Sequence, residues 1–182
     1  MRSPGRQGNV ATLVEEHYAS LYRYAYRLSG SAADAEDLTQ ETYCQAQLKL
    51  EQLRDPACAK AWLFSILRNA YLHRVREKKQ ENAVSLEALG VLGEVPDRFT
   101  EPVADVDPAR LQEALNELPE VFRTPIILYY FDDFSYRDIA AQMDVAMGTV
   151  MSRLARAKAH LRARLAPAET AAPSLRRASH GL

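Results

Sequence analysis

The sequence predicts an all-α protein made of two small helical domains joined by a flexible acidic linker, and three observations carry that expectation. Apolar residues recur at three- and four-residue steps through most of the chain, which is the spacing of one helix face rather than the alternation of a strand. The periodicity lapses between Glu81 and Asp107, where Gly90, Gly93, Pro96 and Pro102 punctuate a run of acids. Basic residues crowd one segment on either side of that gap. The expected organisation is a first domain over 10–80, a linker over 81–107, a second domain over 108–166 and a disordered tail over 167–182, where no apolar pattern remains.

The first helix places Leu13, Val14, Tyr18, Leu21, Tyr22, Ala25 and Leu28 on one side and stops at Ser29-Gly30. A second starts at Ser31, where Asp34 stands in capping-box position, and buries Ala35, Leu38, Thr42 and Ala46 while its other side is acidic and amide-rich. Asp55-Pro56 turns the stretch from Glu51 to Cys58 into a loop, because the residue before proline avoids the helical region. A third helix runs from about Ala59 to Lys79 with Trp62, Leu63, Ile66, Ala70 and Tyr71 inward. Helical signals resume at Asp107-Pro108, an N-cap followed by proline at the first helical position, and continue through Leu111, Leu115 and Leu118. Pro119 opens the next helix, Glu120 to Phe131, expected to pack Phe122, Ile126, Ile127 and Tyr130 and to end at Asp132-Asp133.

Ser135 and Asp138 form a second capping box ahead of a short helix holding Ile139, Ala140 and Met143. Asp144-Val145-Ala146 is a turn, and the helix after it buries Val150, Leu154, Ala157, Leu161 and Leu165. At 3.6 residues per turn, Thr149, Ser152, Arg153, Arg156 and His160 are expected opposite. That is a helix-turn-helix with a recognition helix suited to a major groove: hydroxyls and guanidinium groups lie in its first turns, and arginine can bond guanine O6 and N7 together. Gly148 keeps side-chain bulk away from a phosphate backbone at the helix start. An ordinary solvated basic helix is the competing view; the short capped helix and tight turn before it, and the absence of any acid from Met151 to Leu165, weigh against that.

At 182 residues, with 47% hydrophobic and 26% charged content, the chain has enough apolar residues for a core. A net charge of -1 excludes a uniformly basic nucleic-acid binder, so the arrangement of charge matters more than its sum. Lys60, Arg68, Arg74, Arg76, Lys78 and Lys79 face one acid, Glu77, between 60 and 79, whereas the linker carries seven acids against Arg98. No apolar run is long enough to span a membrane and the first residues lack a secretory pattern, so a cytoplasmic protein without membrane insertion is expected. Cys44 and Cys58, expected to be buried or half-exposed thiols, share no ligand spacing with each other or with His17, His73, His160 and His180, and neither metal nor cofactor is expected. No paired carboxylates with a basic partner, glycine-rich phosphate loop or nucleophile elbow points to an enzyme.

Three stretches resemble a known family. Gly148-Thr149-Val150-Met151-Ser152-Arg153-Leu154, preceded by Leu118-Pro119 and Asp138-Ile139-Ala140, resembles the fourth conserved region of extracytoplasmic function (ECF) sigma factors of the sigma-70 family. Asp34 to Thr42 is similar to the core-binding helix of their second region, and Ala61 to Ala70 to its minus-10 helix. The resemblance spans Leu13 to Leu165 apart from the linker, and motifs in the family's order are more specific than any one of them. It implies a sigma factor that directs transcription initiation without catalysing a reaction, with core RNA polymerase, promoter DNA and an anti-sigma factor as partners. It also implies a minus-35 surface of Gly148, Thr149, Met151, Ser152, Arg153, Arg156 and Lys158, and a minus-10 surface of Arg68, Asn69 and Arg76 beside the Leu50–Cys58 loop. Asp37, Gln40 and Glu41 would meet the polymerase, where complementary charge guides docking. Trp62 lies on an apolar side and is expected in the core. Met151 stands where many relatives carry a basic residue. The alternative is a helix-turn-helix regulator that binds an operator as a dimer, without acting as a polymerase subunit.

Overall fold

A computed structural model describes residues 10–81 and 107–166. The expected linker lies outside the described residues except at its two ends, and the expected tail lies outside them altogether. The described residues form α1 (Val10–Ser29), α2 (Ala32–Leu48), α3 (Ala59–Glu81), α4 (Pro108–Glu117), α5 (Glu120–Phe131), α6 (Tyr136–Met143) and α7 (Met147–Leu165). Short 3-10 turns at Leu50–Gln52 and Pro56–Cys58 carry the connection from α2 to α3, in place of an unstructured loop.

Local chemistry explains most of the boundaries. Gly30 ends α1 at φ +72°, a conformation open to glycine. Ser31 caps α2 by accepting from the Asp34 N–H, but its own N–H donates to Ser29 Oγ at 3.3 Å. The expected capping box is thus half formed. The box at α6 is complete: Ser135 Oγ accepts from the Asp138 N–H, and the Ser135 N–H donates to the Asp138 carboxylate. Asp107 caps α4 by accepting from the Ala109 N–H at 3.1 Å, with Pro108 beginning the helix. Asp144 ends α6 in the left-handed region at φ 52°, which lets the chain turn sharply into α7.

In the first domain α1, α2 and α3 bury Leu21, Tyr24, Leu28, Leu38, Leu63, Phe64 and Leu67. On α2, Thr39 and Thr42 are buried as well, each donating its hydroxyl to the carbonyl four residues back at 2.7 Å, so neither hydroxyl is stranded. In the second domain Leu115, Leu118, Ile126, Ile127, Leu128, Ile139, Val150 and Leu154 close around α5. Tyr130, expected inside, is 48% exposed, because the inward side of α5 is already filled by Ile126, Ile127 and Leu128. Trp62 is partly buried against the core, as its apolar setting predicts.

The two domains pack on each other through one continuous core. Phe64 of α3 lies 4.8 Å from the Tyr24 ring and 5.1 Å from the ring of Phe134, which follows α5. Polar groups finish the seam. Arg123 of α5 donates to Leu28 O at 2.6 Å, Gln112 of α4 to Arg27 O at 3.2 Å, and Gln142 of α6 to Ala61 O at 3.1 Å. The helix-end carbonyls of α1 are thereby satisfied by the other domain, where burial would otherwise leave them costly.

Candidate nucleic-acid interface

The helix-turn-helix is α6 and α7. Val150, Leu154 and Ala157 anchor α7 to the domain, leaving Met147, Gly148, Met151 and Ser152 of its first turns exposed. Thr149, Arg153 and Arg156 are half-buried beside them. The predicted minus-35 residues therefore lie on adjoining sides of one helix, with Lys158 on the flank toward Tyr129 and Tyr130. No acid interrupts α7, so the helix itself carries only positive side-chain charge.

His160 departs from its expected place. It is half-buried, with Nε2 3.3 Å from a Glu117 carboxylate oxygen on α4. Arg164 pairs with the same carboxylate, and its hydrogen bond holds the Glu117 carboxyl below its usual range. The second half of α7 is thereby tied to α4. The angle is the expected one, since at 3.6 residues per turn His160 falls between Thr149 and Arg153 around the axis; what takes it out of the open face is the Glu117 carboxylate.

On α3 the three predicted minus-10 residues separate. Asn69 and Arg76 are exposed and fall within roughly 20° of each other around the axis. Arg68 does not join them. It turns into the seam between domains, donating to Glu120 Oε1 at 3.1 Å and to Gln142 O at 3.3 Å. Leu48, the last residue of α2, is 79% accessible.

The acidic side of α2 is partly committed within the chain. Arg74 of α3 bonds Glu41 at 2.7 Å and approaches Asp37 at 4.0 Å, while Gln40 is exposed. Sequence reasoning missed Arg74, Arg123 and Glu120 as bridging residues. A lone arginine inside the apolar run of α5 was the available signal for Arg123; nothing local marked the others. Cys44 and Cys58 are both exposed free thiols, which corrects the expectation of buried or half-exposed ones. No metal-binding cluster occurs among the described residues, and none of their helices is long and apolar enough to cross a membrane.

Residues 13–81 match the pattern described as Sigma-70 region 2, and residues 109–161 match Sigma-70, region 4. A Mycobacterium tuberculosis protein named ECF RNA polymerase sigma factor SigL is 38% identical over 149 residues, covering 80% of this chain and 82% of its own length. The chain belongs to the ECF sigma factors. A second relative, ECF RNA polymerase sigma factor SigE of Mycolicibacterium smegmatis, is 38% identical over 164 residues and 85% of this sigma factor, which spans 60% of that relative's length. The solved sigma factor RpoE of Bartonella quintana, in complex with the anti-sigma factor NepR, superposes with a TM-score of 0.70 at 31% identity, covering 85% of this chain and 95% of that one.

Proposed function

We propose that this sigma factor binds core RNA polymerase and directs it to promoters, reading the minus-35 element with α7 and holding the minus-10 strand with α3. The observation that carries this reading is the pairing of a complete helix-turn-helix, whose second helix has no acid and opens its first turns to solvent, with a separate basic helix in the other domain. Gly148, Thr149, Met151, Ser152, Arg153, Arg156 and Lys158 face the major groove. Asn69 and Arg76 bind the unpaired strand through amide and cation, the groups that suit an unstacked base and its backbone. Arg68 joins them once it leaves Glu120. Asp37, Gln40 and Glu41 meet the polymerase. The protein acts in the cytoplasm and supplies no catalysis of its own, and an anti-sigma factor that covers these surfaces is its regulator.

Run-off transcription with purified core polymerase tests the reading. The chain should create start sites that core alone does not use, and Arg156→Ala should weaken promoter binding by about 1–3 kcal/mol at matched salt if it bonds a base. Duplex binding by the chain alone, with no change in where synthesis starts, would instead establish the operator-binding regulator.

A further inference from the structure

We infer that Met151 senses thymine in the minus-35 element, touching the C5-methyl group of one base and so favouring it over bases that lack that group. The inference rests on the proposed function and adds the base chemistry that α7 selects.

Met147 and Met151 are 53% and 48% exposed, although α7 has ample apolar residues inside. They stand four residues apart and so lie one above the other along the helix. Met151 also lines a shallow recess with Tyr129, Tyr130, Tyr136 and Lys158. The recess is stiff: Tyr129 stacks on Tyr136 at 4.9 Å and meets Tyr130 edge-on at 5.0 Å. Met151 and Lys158 both line it, and Met151 stays half open to solvent.

The occupant is duplex DNA because of charge. Lys158 and Arg162 lie within roughly 20° of Met151 around the axis of α7, which carries no acid, so a polyanion is drawn to the side where the apolar atoms stand. Gly148 adds a second sign of close approach. A side-chain carbon built there meets nothing within 4 Å, so no packing inside the chain requires glycine at an exposed helical position that alanine would stabilise. Open space beside Gly148 lets a backbone come near enough for its neighbours to reach base edges.

Within the major groove the thymine methyl is the apolar feature of the base edges. A thioether donates no hydrogen bond and accepts weakly, so opposite cytosine it would strip water from an amino group and offer little in return. Against thymine the same side chain buries a methyl group and strands nothing. Hydrogen-bonding neighbours such as Ser152 and Arg156 set the register, and Met151 makes one position within it sensitive to a single carbon.

The test uses holoenzyme assembled from the full chain and core polymerase. Promoters are selected from a randomised library, and each minus-35 thymine of a selected promoter is replaced singly by deoxyuracil, which removes the methyl alone. Wild-type holoenzyme should lose about fourfold in affinity at one position, the value of one buried methyl. Met151→Ala should bind thymine and uracil alike there, with an unchanged melting temperature. Equal affinity of wild type for both bases at every position overturns the inference, as does a full penalty retained by Met151→Ala. Failure to select any promoter overturns the sigma-factor reading together with it, whereas selected promoters indifferent to uracil overturn the methionine assignment alone.

Discussion

The Arg68 guanidinium of α3 bonds the Glu120 carboxylate of α5 at 3.1 Å, with the two side chains only 13% and 17% exposed. The carboxylate also accepts from the Thr124 hydroxyl at 2.9 Å, and the guanidinium donates to Gln142 O, so both ions are held from several directions. Removing one member of such a buried pair strands the other and costs about 3–5 kcal/mol. Glu120→Ala should therefore destabilise the chain by that amount, and the Arg68→Ala, Glu120→Ala double variant should recover about 1–3 kcal/mol as coupling in urea unfolding. Additive effects would mean that the pair contributes nothing to the seam. Because Arg68 also belongs to the proposed minus-10 surface, promoter engagement through it requires this bond to open.

Gly30 meets a different constraint at the same seam. Its φ of +72° suits glycine, and a side-chain carbon there would lie 2.6 Å from the Asn116 amide nitrogen of α4. Gly30→Ala should cost about 1–3 kcal/mol from the backbone conformation. Asn116→Ala in the same chain should relieve the clash and leave the conformational part. A Gly30→Ala protein melting with the wild type would show that neither constraint holds.

The helices were legible because their signals are local: proline at the start of α4, the Ser135 and Asp138 box, and the step of four, three and four from Val150 to Leu161 each act within a few residues. Tyr130 misled because periodicity marks an apolar residue without saying that Ile126, Ile127 and Leu128 already fill the inner side of α5. Seam contacts were hidden for a deeper reason. Arg68 and Glu120 are 52 residues apart, and nothing at either position distinguishes a solvated ion from a partner across a domain boundary. The same holds for Arg74 and Glu41, which turned a helix face read as free into one partly occupied.

That occupation separates two effects on α2. Gln40 is exposed, whereas Glu41 holds Arg74 at 2.7 Å with side chains 40% and 30% exposed. Gln40→Ala should weaken association with core polymerase and leave the melting temperature unchanged. Glu41→Gln should reduce both, its stability cost staying below about 1 kcal/mol because water screens a partly exposed pair. Pull-down with core polymerase and thermal melts check the pair of outcomes; full association by both variants would remove this face from the polymerase contact.

Asp132 makes the seam sensitive to mild acid. Burial pushes its carboxyl up from 3.8 to about 6, against the opposing pull of Lys60, Arg27 and Arg23, while Asp133 pushes the same way as burial. Lys60 meanwhile donates to the Asp132 carbonyl at 2.5 Å, and Arg27 lies over the Phe131 ring at 4.0 Å, so cations from the first domain surround the end of α5. The folded chain binds this proton more tightly than the unfolded chain does. Its contribution is therefore fully present below the unfolded value near 3.8 and is lost as pH rises through about 6, by at most about 3 kcal/mol. Asp132→Asn cannot titrate there and should remove this component of the slope. Urea unfolding from about pH 4 to about pH 7 measures it, and parallel stability curves for wild type and Asp132→Asn across that window would show that the carboxyl stays ionised in the folded protein.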